Sequence, residues 1–377
     1  MRALVVGLGV AGMAAAIALS GAGWKPVIVE RAAQRRTGGY FVGLFPPGKR
    51  AAARLGVLDR LHLRTPADHR TWAVDADGGR ERSIGFLDQP GHPEGTLRGD
   101  VEAALWDGLD ADVRFGVSPI AIRQDLAGAH VSFSDGGTES FDLVIGADGL
   151  RSTVRRLAFG PDERFLRPTN SVICTFSLTE PVPGFSASDQ IALVEPGRAL
   201  WVFPYRDRPP TALFAYRVPN VAAELRKNPR AAVAARYDGM RGPVPYALDG
   251  LRRAPECLFD SVQQVRMRRW YRGRVLLLGD AAWCLTLYSG MGASTGMMGA
   301  AALGDALTAH PADVPAALRE WERQMRPTIR THQLIAHVKG QGFVPSNPFN
   351  HGVRRLVVNQ AAKLLLRSPG PAVGLSG

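Results

Sequence analysis

Three short segments are built on glycine, two of them with an adjoining acid, in ways that chemistry can use: Gly7-Leu8-Gly9-Val10-Ala11-Gly12, Asp148-Gly149 and Gly279-Asp280. The first follows the apolar run Arg2–Val6 and opens the Ala-rich stretch Met13–Ser20, and Pro26–Glu30 then reads as a second strand. A strand, a glycine turn, a helix and a strand within about 30 residues is the setting in which Gly-x-Gly-x-x-Gly holds a pyrophosphate. Gly7 permits the tight turn, Gly9 lets the backbone approach a phosphate, and Gly12 lets the helix lie close to the strand. The helix N-terminus adds free N–H groups and the positive end of its dipole. Glu30 ends the second strand, where a carboxylate accepts hydrogen bonds from both hydroxyls of an adenosine ribose and repels a 2′-phosphate. This site therefore suits FAD or NAD rather than NADP. Taken singly, the other segments have plainer explanations. Asp148-Gly149 is a turn, Gly279-Asp280 a capped strand end, and Arg98 a partner for Asp100.

The surrounding elements must position these residues. Arg31–Gly48 reads as a loop rich in glycine and proline, and Ala51–Leu63 and Val101–Leu109 as helices. Val113–Phe115, Ile120–Gln124 and Ala129–Phe133 read as strands, with a hairpin turn at Asp135-Gly136-Gly137. Phe141–Ile145 leads into Asp148, and Val275–Leu278 into Gly279. Between them, residues 166–264 change texture to short β-like runs broken by Pro and Gly, with a helical piece near Val221–Arg236. Gly296–Leu307, Trp321–Gly340 and Val353–Leu366 read as helices, and Ser368–Gly377 as a tail.

The fold class is thus α/β: a Rossmann-type domain interrupted by a mainly β domain and followed by helices. The expected division assigns 1–70, 96–165 and 265–310 to the nucleotide domain, 71–95 and 166–264 to the sheet domain, and 311–367 to the C-terminal helices. A chain of 377 residues with 46% hydrophobic and 21% charged residues has the makings of such a packed protein. Three cysteines (Cys174, Cys257, Cys284) with no CxxC pair exclude a cystine scaffold, a zinc ribbon and a dithiol redox centre. The net charge of +12 comes mostly from scattered arginine, with Lys only at 25, 49, 227, 339 and 363. No clustered basic face or reader motif points to nucleic acid. The apolar run after Met1-Arg2 carries Gly7, Gly9 and Gly12 and continues to a second strand, so it reads as mature structure and not as a leader. No apolar stretch long enough to span a membrane occurs.

The three glycine segments, in this order and spacing, resemble the single-component FAD-dependent aromatic hydroxylases of the para-hydroxybenzoate hydroxylase-like family, over roughly residues 1–310. The resemblance implies that Gly7, Gly9 and Gly12 hold the FAD pyrophosphate and Glu30 its ribose, with Arg31 against the adenine and Arg98 touching the nucleotide. It implies that Asp148-Gly149, with Arg151, Ser152 and Arg155, forms the second fingerprint, tied to FAD and to productive NAD(P)H engagement. Gly279 and Asp280 would meet the ribityl chain. Gly290, Met291, Gly292 and Ala293 would lie beneath the flavin ring, their N–H groups starting a helix that stabilises negative charge. The chemistry implied is reduction of FAD by NADH or NADPH, addition of O2, and oxygen transfer from a flavin hydroperoxide to an aromatic or polycyclic substrate. Gly38, Gly39 and Gly43 would allow a loop beside the flavin to move. Relatives carry His after Gly-Asp-Ala-Ala, where this chain has Trp283, and Pro where it has Thr286-Leu287; Ser294 stands where many have Asn. The absent proline keeps a non-oxygenating flavoenzyme open as an alternative, and a non-catalytic FAD- or NAD-binding protein is a further one.

The substrate pocket is expected between the middle sheet and the flavin, lined by Phe203, Tyr205, Phe214, Tyr216, Trp283 and Tyr288. Tyr288, nearest the flavin-binding glycines, is the candidate catalytic side chain, able to polarise a phenol. His332 and His337 are five apart with no carboxylate cluster, so no metal is expected. Val353–Leu366 reads as a packed helix with a solvated basic face, a membrane-surface helix being the alternative. The expected protein is a cytoplasmic monomer or homodimer without nucleic-acid partners or stable membrane insertion.

Overall fold

The computed structural model describes residues 1–35 and 38–367. The expected tail Ser368–Gly377 lies outside the described residues. The chain forms two compact units, one of residues 1–64, 94–169 and 262–337, the other of 65–93, 170–261 and 338 onward. The C-terminal helices Val314–Phe343 and Pro348–Arg367 are not a unit of their own: the first is shared between the two units, and the second belongs wholly to the second unit.

The first unit is built on a six-stranded sheet ordered Tyr271–Arg272, Val275–Leu277, Leu143–Gly146, Arg2–Val6, Lys25–Glu30 and Asp112–Phe115. Arg2–Val6 runs parallel to both of its neighbours. Its Ala3, Leu4 and Val5 are fully buried, as are Leu143, Val144 and Ile145 beside them. Such unbroken apolar runs belong to strands covered on both faces. The helix Val10–Gly21 follows the first strand and packs along the helix Gly292–Ala309. Small residues let the two approach closely: a Cβ on Gly304 would lie 3.1 Å from both the Cβ and the carbonyl oxygen of Ala18.

Two local expectations change. The loop expected over 31–48 contains a strand, Phe41–Leu44, paired with Glu94–Leu97, so Gly43 sits in a ladder and not in a free loop. The helix expected over 51–63 starts earlier, at Pro46-Pro47, and ends at Arg54, followed by a 3-10 turn at Leu58–Arg60. Proline at the first helical positions is tolerated because those N–H groups have no intrahelical partner. The hairpin at Asp135-Gly136-Gly137 forms, with the Asp135 carboxylate accepting the Gly137 N–H at 2.9 Å.

The second unit carries a seven-stranded sheet ordered Leu258–Val265, Leu166–Ser177, Thr211–Arg217, Arg198–Phe203, Asp189–Glu195, Arg70–Val74 and Arg80–Ser83. Alternation along these strands separates two faces. Val172, Cys174, Phe176, Leu200, Val202, Phe214 and Tyr216 join one apolar core with Val233, Tyr237, Val244 and Leu251 of the helices Pro229–Tyr237 and Val244–Arg253. Trp201 and Phe203 share the opposite face.

Candidate active site

The first unit gathers all three glycine segments around the end of its parallel sheet. Gly7 turns out of the first strand at φ +105°, a conformation open to glycine. A Cβ there would strike the Ala147 carbonyl oxygen at 2.7 Å, so the second segment crosses directly over the first. A Cβ on Gly12 would lie 1.9 Å from the Gly7 carbonyl oxygen, which fixes how tightly the helix seats on the turn. Gly9 differs: the atoms in front of it are the Arg98 guanidinium at 3.7 Å and the Glu102 carboxylate at 4.0 Å, across open space.

Glu30 is held by the same turn. One carboxylate oxygen accepts the Leu8 N–H at 2.9 Å and the other the Ala32 N–H at 2.9 Å. Each oxygen keeps a further lone pair for an incoming hydroxyl. Arg31 is exposed beside it.

Arg98 opens the helix Arg98–Trp106 and pairs with Glu102 at 2.8 Å, one turn along. Asp100, the partner expected from sequence, instead binds Arg64 at 2.6 Å. Tyr40 also hydrogen-bonds Arg98. Burial works to lower the Arg98 pKa, but Tyr40 and Glu102 outweigh it and the pKa rises. Glu102 and Tyr40 were not singled out from sequence; the four-residue spacing of Glu102 from Arg98 was the available signal.

Asp280 begins the short helix Asp280–Trp283 and keeps accessible surface. Protein nevertheless surrounds it so closely that burial raises its carboxyl pKa, with the Arg98 charge opposing. A group both reachable and enclosed lines a deep groove. Gly292 is exposed in the same groove, and a Cβ on it would lie 4.0 Å from the Asp280 carboxylate. It opens the helix Gly292–Ala309 with no side-chain cap, so its N–H and that of Ala293 have no intrahelical acceptor. The Met291 N–H does not join them, because the Ser289 hydroxyl accepts it at 3.1 Å. Gly290 supplies the left-handed turn, at φ +68°.

Asp148 has a structural task. Its carboxylate accepts the Ser152 hydroxyl at 2.5 Å and the N–H groups of Thr153 and Val154 at 2.6 and 3.0 Å, capping the helix Thr153–Ala158. Arg155, fully buried, donates to Asp162, to the Leu150 carbonyl at 2.6 Å and to the Ala281 carbonyl at 2.9 Å. It thereby stitches the second segment to the third. Gly279, at φ +62°, presses on Ala11 of the first helix.

The groove fits a dinucleotide flavin. Glycines leave its floor bare at Gly9 and Gly292, where a Cβ would project into the space. The Glu30 carboxylate lies at the end of the second strand, the Arg98 guanidinium stands over the glycine turn, and the uncapped helix start at Gly292 lies beside Asp280. These are the donors and acceptors that a ribose, a pyrophosphate and an electron-poor ring require.

Comparison with known proteins agrees. Residues 1–318 match the family described as FAD binding domain. The chain belongs to this family. The chain is 27% identical over 354 residues to a flavin-dependent monooxygenase of an unknown prokaryotic organism, covering 91% of this chain and 90% of that one. Among solved structures it resembles the tetracycline destructase Tet(51), with a TM-score of 0.77 and 25% identity over 98% of each chain. It also resembles Klebsiella pneumoniae HpxO complexed with FAD and uric acid, with a TM-score of 0.79 and 24% identity over 98% and 97% of the two chains. The protein is an FAD-dependent monooxygenase, an oxidoreductase with FAD as its cofactor.

The aromatic candidates separate in this FAD-binding chain. Trp283 is completely buried against Trp270 and Trp321, with ring centroids 4.6 and 5.9 Å away, so it is core and not pocket lining. Phe214 packs on Tyr237 at 4.6 Å, and the Tyr216 hydroxyl donates to Glu224 at 3.0 Å, both beneath the helices of the second unit. These three are corrections: burying a large apolar face under helices claimed them. Phe203 lies on the other face of the sheet, edge-on to Phe86 at 6.3 Å. The Tyr205 hydroxyl shares a hydrogen bond with Thr211 at 2.9 Å. Tyr288 is buried in the 3-10 turn Leu287–Ser289 that precedes the flavin-side helix.

The departures from the family pattern are structurally distinct positions. Thr286 adopts φ +78°, ψ 154°, a region that β-branched residues avoid. Its hydroxyl and that of Ser294 are buried without a hydrogen-bond partner among the described residues. A Cβ on Gly48 would meet the Ser294 hydroxyl at 2.3 Å, so the helix Pro46–Arg54 sits hard against this position.

Proposed function

We propose that this monooxygenase hydroxylates or epoxidises a flat aromatic or polycyclic small molecule, with O2 as co-substrate, NADH or NADPH as reductant, and the cytoplasm as its place of work. The observation that carries the cofactor side of this reading is the enclosed groove bounded by Gly9, Arg98, Asp280 and Gly292. The substrate class is supported by the ring systems that similar proteins handle, uric acid in one and tetracycline in another, according to their names.

Bound FAD supplies the redox chemistry, accepting a hydride and engaging O2. The residues of this chain bind and orient it. In this reading Gly7, Gly9 and Gly12 seat the pyrophosphate on the helix N-terminus. Glu30, already fixed by two backbone N–H groups, accepts the ribose hydroxyls. Arg98, steered by Glu102 and Tyr40, offers its remaining N–H groups to the nucleotide. Asp280 accepts from the ribityl hydroxyls. The N–H groups of Gly292 and Ala293 face the pyrimidine edge, where they stabilise developing negative charge. Asp148, Gly149 and Arg155 shape the groove from behind. From the second unit, Phe203 and Tyr205 are the proposed substrate contacts.

The test is NAD(P)H oxidation by FAD-loaded protein in air, with a panel of phenolic and polycyclic compounds and product mass recorded in the same samples. Substrate-stimulated oxidation with a product one oxygen heavier is the expected result. Retained FAD with no stimulation and no oxygenated product across the panel would move the protein to the non-oxygenating flavoenzymes.

A further inference from the structure

The helix Pro348–Arg367 is anchored to the second unit by one face only. Arg354 donates to the Gly342 carbonyl at 2.7 Å and lies over the Trp201 ring, where burial pulls its pKa down to about 10. Asn350 bonds the Gln341 and Ser346 side chains, and Ala362 is buried. These contacts fix which way the helix faces. The outward side is apolar: Phe349 is 77% exposed, Leu356 63%, Val357 60% and Leu364 73%, with Val353 between them. At spacings of four, three, one and seven residues these side chains form one stripe along the helix, interrupted by the exposed Gln360 between Leu356 and Leu364. Sequence alone had placed a solvated basic face here; the structure instead turns an apolar stripe outward, with basic residues along its edge.

Along one edge of the stripe His351, Arg355, Asn359 and Lys363 follow one another at four-residue spacing, a largely cationic row on the same helix. No Asp or Glu occurs anywhere in the helix, and the whole chain carries +12. An apolar stripe bordered by a cationic row suits a surface that offers acyl chains and phosphate side by side. A second copy suits it less. A two-fold pairing of this helix with itself would bring together two cationic helices with no carboxylate on either to offset the charge. No helix among the described residues is long and apolar enough to cross a membrane. We propose that this helix is a peripheral docking surface for an anionic lipid bilayer, its apolar stripe lying in the headgroup–acyl boundary and Arg355 and Lys363 on the phosphates. The proposal concerns a surface outside the flavin groove and does not depend on which substrate is oxidised.

The experiment is co-sedimentation of the full, FAD-loaded chain with vesicles of phosphatidylcholine alone and of phosphatidylcholine mixed with phosphatidylglycerol, at low and high salt. The expected result is pelleting with the anionic vesicles only, reduced by salt. Arg355→Gln and Lys363→Gln should each lower the partition by roughly fivefold. The double variant Leu356→Asp with Leu364→Asp should abolish it while FAD absorbance and NAD(P)H oxidation stay unchanged, since both side chains are solvent-facing. Equal pelleting of all variants, indifference to lipid charge, or no pelleting of the wild type would overturn the proposal. So would a wild-type dimer in light scattering that the double variant dissolves, which would assign the stripe to a second copy. Binding seen only in a chain ending at Arg367 would overturn it too, assigning the stripe to the chain's own last ten residues.

Discussion

In the proposed reading the flavin groove and the aromatic sheet face the same demand, to hold a flat ring, and meet it by different means. In the first unit the recognising groups are largely backbone: bare glycines, helix N-termini, and a carboxylate fixed by two N–H groups. In the second unit they are side chains on alternating strand positions, and one register step decides whether a ring faces the helices or the opposite face of the sheet. Backbone recognition demands particular residue types at fixed spacing, because a single Cβ closes the space. Side-chain recognition tolerates many residues of similar size. The first kind is therefore conspicuous in a sequence and the second is not.

The largest expected effect tests the backbone side of this contrast. Gly12→Val places side-chain atoms where the Gly7 carbonyl already stands. Neither partner is a flexible side chain able to give way, so the variant should lose FAD entirely and fold poorly, as read by flavin absorbance and thermal melting. Next, Phe214→Ala and Phe203→Ala should diverge although both rings are buried in one sheet. Phe214 lies under the helices, and its truncation should cost about 3–5 kcal/mol by denaturant unfolding and leave the KM of the folded enzyme unchanged. Phe203→Ala should raise the KM for the aromatic substrate. Equal effects of the two on KM would erase the distinction between the faces.

Within the groove, Arg98→Ala should weaken FAD binding by about 10- to 100-fold, the worth of a hydrogen bond to a charged group at about 1.5–3 kcal/mol. Titration of apoprotein with FAD measures it. Asp280→Asn should separate binding from stability. The Asp280 carboxyl stands above its ordinary value, chiefly through burial, so the folded apoprotein binds this proton more tightly than the unfolded chain does. That contribution is fully present below the usual Asp range and is lost as pH rises through the raised value. The Asn variant has no such loss: as apoprotein it should melt above the wild type near neutral pH, with the gap closing on acidification, while retaining FAD less well. The smallest effect concerns Thr286. Thr286→Gly should relieve a backbone conformation that costs on the order of 1 kcal/mol, visible as a slight rise in melting temperature of the apoprotein.

What the sequence determined by itself is the ordered set of glycine segments and the parallel, fully apolar strands that carry them. The turn at Gly7, the strand end at Glu30 and the helix starts near Gly9, Asp280 and Gly292 are legible in the sequence because each is set by local chemistry. Tertiary structure decided how the charges pair and where the rings go. Asp100, two residues from Arg98 on one helix and so turned away from it, was taken up by Arg64, which is distant in sequence. Asp148 became a helix cap once Ser152, Thr153 and Val154 turned back on it. Trp283 went into a three-tryptophan core, and Phe214 and Tyr216 went under helices that follow them in the chain. Pairing and burial depend on which distant segments arrive alongside, and neither spacing nor composition encodes that directly. The outward apolar stripe of the last helix was hidden for the same reason. Its periodicity shows only that a face exists; the packing of Arg354, Asn350 and Ala362 decides which face is left to solvent.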